Sequence, residues 1–390
     1  MTSSIAPPRF SPELRVSTFY FFQSMSVGAV NAFAGIWLSA AGLNEQQIGI
    51  IYAAPIVVLL VISLTLGRIA DRARDWRQVI IIGAVASGIF PVGLFFVTGF
   101  SGILVFWTLA VVAQWGVTPV TDAAALRMAR RRGSDFGTFR AWGTVSYLMV
   151  ILICGYALER FGTPLFLPLF VTLCLMRSLA SFGLPKLRAG EKQVAPKSGA
   201  VHLLHVMKPW FVLPLIGWSL VYSTHLTLNA FLGLVLKQQG LPTDIIGMLI
   251  ALSAASEAVL FFTFKRFATR FSARNLILIS CLTSVLRWVA MSFGPGIEVL
   301  VLLQLLHSVT YALGFIACVN FIANWTNEEI AAEAQGFFTV LQLATGIITV
   351  LVFGSLAGAW GAKAFLASAF VSALGAALVW LSTRLKHPER

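Results

Sequence analysis

Residues 31–49 read NAFAGIWLSAAGLNEQQIG and residues 229–247 read NAFLGLVLKQQGLPTDIIG, an ungapped match at an offset of 198 in a chain of 390. Nine of the nineteen positions are identical: Asn31/Asn229, Ala32/Ala230, Phe33/Phe231, Gly35/Gly233, Leu38/Leu236, Gly42/Gly240, Leu43/Leu241, Ile48/Ile246 and Gly49/Gly247. Ordinary composition gives roughly one or two identities by chance. Arg68 and Arg72 recur at the same offset as Arg266 and Arg270. The match crosses the end of one apolar run, a polar connection and the start of the next. The chain therefore has to fold as two copies of one half.

Each half is apolar. Hydrophobic residues are 58% of the chain and charged residues 11%, where a soluble domain carries about 25% charged. Runs long enough to cross a bilayer fall near 16–41, 47–66, 78–98, 102–126, 139–159, 163–183, 211–236, 243–264, 275–294, 297–324, 335–358 and 361–383. The fold class expected is an all-α membrane protein of twelve transmembrane helices. Its two pseudo-symmetric six-helix halves occupy 1–183 and 211–390, joined by a linker at 184–210. Duplicated halves in a membrane chain point to a secondary transporter with its site between them.

The net charge of +13 does not indicate a nucleic-acid partner, because the basic residues sit in short blocks between apolar runs. Alternate connections, counted from the N-terminus, hold 23 Lys and Arg, and the opposite side holds only Arg160, Lys237 and Lys363. This asymmetry predicts cytoplasmic termini. The acidic connection at 325–334, with Glu328, Glu329 and Glu333, is the exception. No cleavable signal is expected: the apolar run after the polar start MTSSIAPPRFSPELR is too long for a signal core. Cys154, Cys174, Cys281 and Cys318 all lie in apolar runs without paired spacing and read as packing thiols. His202 and His205 fall in the linker and read as surface residues.

Between the second and third runs stands Gly67-Arg-Ile-Ala-Asp71-Arg72. This Gly-x-x-x-Asp-Arg resembles the signature loop of the major facilitator superfamily. Gly67 would let two helices approach, and Asp71 and Arg72 would latch one arrangement of the halves. The second copy has Thr269 at the place of Asp71 and makes a weaker latch. Asp122, Arg127 to Arg132, and the stretch from Asp135 to Arg140-Ala-Trp142-Gly are similar to the lactose permease type of proton symporter, and closer to the 3-phenylpropionate permeases of that branch. Leu286-Arg287-Trp288 and Leu305-Leu306-His307 continue the similarity.

An ionisable group inside a span costs about 2.5–3.5 kcal/mol on insertion scales, so each needs a reason. Asp122 and Arg140 stand eighteen residues apart, and the resemblance implies that they pair and hold substrate. Tyr147 shares a helical face with Arg140 and matches an aromatic that stacks on sugar in that family. In the second half, His225 and Asn229 share a face with Tyr222, and His307 shares one with Gln304 and Tyr311. Arg287 and His307 keep the twenty-residue separation of the lactose permease type. The substrate-binding set read from the sequence is thus Asp122, Arg140, Tyr147, His225, Asn229, Arg287 and His307. Glu257 is the carboxylate deep in a second-half span, and it is expected to carry the proton together with His307. The family's proton-binding acid follows the His by three residues, where this chain has Thr310, so family roles do not transfer directly. Arg177 is expected to extend to the cytoplasmic surface.

The function expected is proton-driven import of a small aromatic or other organic carboxylate across a bacterial inner membrane. Arg140 and Arg287 would hold the carboxylate, with Trp142 and Trp288 beside them. The alternative is a sugar:proton symporter built on Asp122, Arg140 and Tyr147. A drug:proton antiporter is disfavoured because the fifth run, AWGTVSYLMVILICGYA, lacks proline. No HExxH or Ser/His/Asp set indicates an enzyme. No cofactor or metal is expected. The partners are a small-molecule substrate, a proton and the lipid bilayer, and a monomer suffices.

Overall fold

The computed structural model describes residues 10–72, 75–187, 207–264, 270–326 and 328–385. The side chains at 63–72, 328–329 and 332 fall outside that description. The latch expected at Gly67, Asp71 and Arg72 therefore lies outside the described side chains, as do the linker histidines His202 and His205.

The described residues include twelve long helices. They are α1 Pro12–Ala40, α2 Glu45–Arg72, α3 Trp76–Phe95, α4 Gly99–Arg132, α5 Phe136–Phe161, α6 Thr163–Phe182, α7 Pro209–Gln238, α8 Thr243–Thr263, α9 Ala273–Ser292, α10 Ile297–Trp325, α11 Glu328–Trp360 and α12 Phe365–Arg384. By length and hydropathy they form eleven membrane-crossing stretches. The last stretch breaks into α11 and α12 at Gly361, whose φ of 53° turns the chain out of the helix. Local chemistry fixes the ends. Ser11 caps α1 through the Leu14 amide at 3.2 Å, with Pro12 in the first turn. Asp135 caps α5 and Ser272 caps α9 in the same manner. Asn44 and Gln47 exchange bonds at 2.9 and 3.1 Å across the start of α2, the reciprocal arrangement of a capping box.

Two spans are irregular where the chain carries polar residues. α4 breaks at Val117, ahead of Pro119, which has no amide to continue the ladder. The break lies one turn before Asp122. α10 passes through a π-helical turn at Ser308–Leu313, directly after His307. Such turns re-aim side chains within a span.

The repeat is the seam between the halves. α1 and α7 are the most buried spans, with 67% and 78% of their apolar cores enclosed, against 33–50% elsewhere. They cross through small residues. A Cβ on Gly35 would stand 2.5 Å from the Ala230 carbonyl oxygen, and one on Gly233 would stand 2.2 Å from that of Ala32. Only glycine permits this approach. On one side of the crossing α2 meets α11, with Gly49 against Gly354. On the other α5 meets α8, with Gly155 against Gly247. Phe33 and Phe231, both fully buried, fill the space beside these glycine pairs.

The remaining identities shape the turns. Gly42 and Gly240 each take φ of 87°. Leu43 N donates to Leu38 O, and Leu241 N to Leu236 O, both at 3.1 Å. These are matching Schellman ends. At the same end Glu159 accepts from the Thr243 amide of the other half at 2.6 Å and pairs with Lys237 at 3.4 Å. Gln238 donates to Glu45 at 2.9 Å. The end of the molecule away from the termini is thus sealed.

A Gly233→Ala substitution should destabilise this sealed arrangement by about 1–3 kcal/mol, the range for overpacking. Spin labels at Asn44 and Gln239 should then report a population at longer distances. Gly336→Ala, which meets nothing within 4 Å, should leave the distribution unchanged. Equal distributions in the two variants would contradict the seam.

Candidate functional site

Toward the terminal side of the seam the halves enclose a cavity of about 340 Å³, lined from α1, α4, α5, α7, α8 and α10. Six of the residues read from the sequence as substrate-binding line it: Asp122, Arg140, Tyr147, His225, Asn229 and His307. Glu257 lines it as well. Asn229 is the exposed position in an otherwise buried stretch of α7, so its amide faces the opening.

In the first half, Arg140 Nη1 donates to Asp122 Oδ2 at 3.2 Å. The Tyr20 hydroxyl donates to the other oxygen, Asp122 Oδ1, at 2.6 Å. The Arg140 side chain is 62% exposed, and among the described residues this one N–H is engaged. The other donors of the fork have no hydrogen-bond partner among the described residues, and Arg140 lines the cavity. Asn31 Nδ2 reaches the Tyr147 hydroxyl at 3.4 Å. Tyr20 and Asn31 were not singled out from the sequence. The signal was present: Tyr20, Gln23, Ser24 and Asn31 lie on one face of α1, and all four line the cavity.

The second half holds a buried relay of hydrogen bonds. Arg287 is fully buried, and it donates to His307 Nδ1 at 2.9 Å, Thr310 Oγ1 at 3.0 Å and Gln304 Oε1 at 3.1 Å. A guanidinium only donates. His307 Nδ1 is therefore an acceptor, and Nε2 carries the proton that it donates to Glu257 Oε1 at 2.8 Å. His225 has the opposite tautomer. Its Nδ1 donates to the Val221 carbonyl at 3.0 Å, and its Nε2 lies 3.0 Å from the Thr310 hydroxyl, which also reaches the His307 carbonyl at 3.3 Å; as a neutral imidazole it accepts from that hydroxyl. Each ring uses one donor and one acceptor, the pattern of neutral imidazole.

Four residues are placed differently from the sequence reading. Arg287 does not line the cavity: it donates to His307, Thr310 and Gln304, its Nε has no partner among the described residues, and it stands behind His307 with its guanidinium 4.9 Å from the Trp288 ring. It reaches Glu257 through His307. Trp142 and Trp288 do not line the cavity either. Trp142 packs on Phe21 at 6.5 Å, and Trp288 is buried against Phe365 at 5.7 Å. Arg177 does not reach the surface. It falls in the stripe of Phe170, Cys174, Ser178 and Ser181 that buries α6, and it is 1% exposed.

Residues 13–370 match the model of the MFS_1 like family. The chain belongs to that family, within the major facilitator superfamily. It is a multi-pass membrane protein and a secondary transporter of that kind. The probable 3-phenylpropionic acid transporter of Escherichia coli is 25% identical over 343 residues, covering 86% of this chain and 88% of that protein. The maltose permease of Geobacillus stearothermophilus is 23% identical over 344 residues, covering 88% and 87%. The crystal structure of the nucleoside transporter NupG superposes with a TM-score of 0.83 at 18% identity, over 97% of this chain and all of that one. These family members are transporters, not enzymes.

Thr310 joins Arg287 to His225, so Thr310→Val leaves the His225 Nε2 without its donor. Stability should fall by about 1–3 kcal/mol, the cost of an unsatisfied buried polar group, read as a lower melting temperature in detergent. Thr310→Ser should stay near the parent. A valine variant as stable as the serine variant would show that the relay is not held this way.

Proposed function

We propose that the protein imports a small aromatic or other organic carboxylate together with a proton. The observation that carries this reading is the Arg140 guanidinium, which lines the cavity, is anchored at one N–H by Asp122 and has its other donors unpaired among the described residues. A carboxylate fits that fork in bidentate fashion. Electrostatics favours the coupling. Before loading, Arg140 and Asp122 balance, and so do Arg287 and Glu257 across His307. An anion entering the cavity adds an uncompensated charge, which is costly where the site is shielded from water. A proton taken up by Glu257 removes it, because Glu257 faces the cavity while Arg287 stays positive behind it. One proton per carboxylate leaves the site neutral at each stage.

The name of the Escherichia coli relative supports a phenylpropionate-like substrate. A sugar:proton symporter is the second reading. It is favoured by Tyr147 and Asn31 standing beside the Asp122–Arg140 pair, with the maltose permease among the relatives. The basic asymmetry supports cytoplasmic termini in a bacterial inner membrane. In that orientation the seam closes the outer side and the cavity faces inward, and rocking of the halves exchanges the two.

The test is uptake by proteoliposomes under an inward proton gradient, with labelled 3-phenylpropionate and maltose compared and empty liposomes correcting for passive flux. Phenylpropionate should accumulate, and an uncoupler should abolish it. Arg140→Gln should weaken its binding about ten- to a hundredfold, the value of charge-assisted hydrogen bonds. Glu257→Gln should retain counterflow exchange but lose gradient-driven accumulation. Accumulation by Glu257→Gln at the parent level would remove Glu257 from coupling, and accumulation of maltose alone would establish the sugar reading.

A further inference from the structure

A guanidinium and a carboxylate that meet without constraint join through two parallel bonds, one to each oxygen. The Asp122–Arg140 pair makes one of them. Arg140 Nη1 donates to Asp122 Oδ2 at 3.2 Å, and the other oxygen, Oδ1, is taken at 2.6 Å by the Tyr20 hydroxyl. Three helices bring these groups together, α1 with Tyr20, α4 with Asp122 and α5 with Arg140. All three residues line the cavity. Tyr20 is the fixed member. It is 4% exposed, against 30% and 62% for the Asp122 and Arg140 side chains. Its ring meets Phe136 edge-on at 6.4 Å and belongs to a buried cluster with Phe19, Trp76 and Phe139.

We propose that Tyr20 is a positioning residue for the substrate: by holding Asp122 Oδ1 it limits Asp122 to one bond on Arg140 and keeps an edge of the guanidinium free for the substrate carboxylate. The bond that does this is charge-assisted, a class roughly twice as strong as neutral hydrogen bonds, and it comes from a ring that packing holds in place. Charge balance does not require Tyr20, since Arg140 already compensates Asp122. What the hydroxyl sets is the direction of the second oxygen, toward α1 and away from the guanidinium. With the hydroxyl removed, Oδ1 has no partner among the described residues. The Arg140 side chain, exposed over most of its surface and therefore adjustable, then closes the second bond. A substrate carboxylate has to compete with that bond for the same N–H groups. This inference rests on the carboxylate reading of Arg140, and it names the group that keeps the fork open.

The experiment is binding of labelled 3-phenylpropionate to the purified full-length protein in detergent. Tyr20→Phe keeps the ring and removes one oxygen. It should weaken binding about tenfold, the value of one charge-assisted hydrogen bond. The same change is then made in an Asp122→Asn background, where Arg140 keeps its charge and the amide offers one acceptor instead of two. There it should alter binding by less than about twofold, because the two sites act as one unit. A merely structural role for Tyr20 would weaken both backgrounds alike. A ligand-free readout accompanies these: modification of Arg140 by phenylglyoxal, followed by mass spectrometry of its peptide, should be slower in Tyr20→Phe than in the parent. If the parent binds 3-phenylpropionate and Tyr20→Phe binds it equally well, or loses the same factor in both backgrounds, the Tyr20 assignment is wrong and the carboxylate reading survives. If the parent binds no carboxylate, that reading falls and the modification rate decides Tyr20 separately: a slower rate keeps it as the group that holds the fork open, and equal rates overturn it.

Discussion

The arrangement depends on a backbone-to-backbone crossing. At Gly35 and Gly233 there is no room for a single methyl group before the carbonyl of the opposite helix. Two helices at that distance gain dispersion along their whole contact and lose almost no side-chain freedom, which is how spans associate when lipid is as apolar as the protein. The pseudo-twofold relation doubles this contact without new sequence, since each glycine faces the carbonyl of the alanine that precedes its counterpart by three. The α2–α11 and α5–α8 contacts flank it and use glycine in the same manner. The seam is close-packed and nearly symmetric, so its closure is not tied to one fragile side chain.

The charged groups obey a different constraint. A buried ion is costly unless compensated; Arg177 stays buried without a hydrogen-bond partner among the described residues, but around the cavity the two halves compensate their charges in unlike ways. The first half keeps Asp122 and Arg140 near the opening, adjacent and partly solvated. The second half buries Arg287 completely and separates it from Glu257 by one imidazole. Separation matters in this proposal. A direct Arg–Glu pair would hold the carboxylate ionised. A neutral His between them lets Glu257 change charge while Arg287 keeps its acceptors in Thr310 and Gln304.

The fold was legible because the repeat, the twelve apolar runs and the basic asymmetry each report a requirement of the bilayer. All nine identities of the repeat have a structural use: Asn31 and Asn229 line the cavity, the alanines and glycines make the crossing, and Leu38, Gly42, Leu43 and their counterparts end the helices. Ile48 and Ile246 are fully buried at the start of α2 and α8. The cavity residues were legible as ionisable groups out of place in spans. What the sequence hid was depth. Arg287 and His307 look alike as polar residues at helical spacing, and only packing puts one behind the other. Arg177 was misplaced for the same reason, since distance from a span end says nothing about which face is covered. Tyr20 went unremarked, and Thr310 was noted only for the acid it replaces, because an uncharged hydroxyl costs little in a span and so raises no alarm.

The position of the repeat connects these parts. Asn31 is one turn from Gly35, and Asn229 one turn from Gly233, so these two residues of the cavity wall are carried on the same helical turns as the crossing. A ligand between the asparagines bears on α1 and α7 at the point where they are closest and least adjustable. A glycine contact cannot yield by changing rotamers, because there is no side chain to turn. Any displacement at Asn31 or Asn229 must be passed on as movement of a whole helix. The symmetric seam would thus move as a unit, while on the proposed function a carboxylate fork in one half and a proton acceptor in the other would decide which loading state favours each position. Binding and closure need no separate wire between them, since both are written on the same two turns of helix.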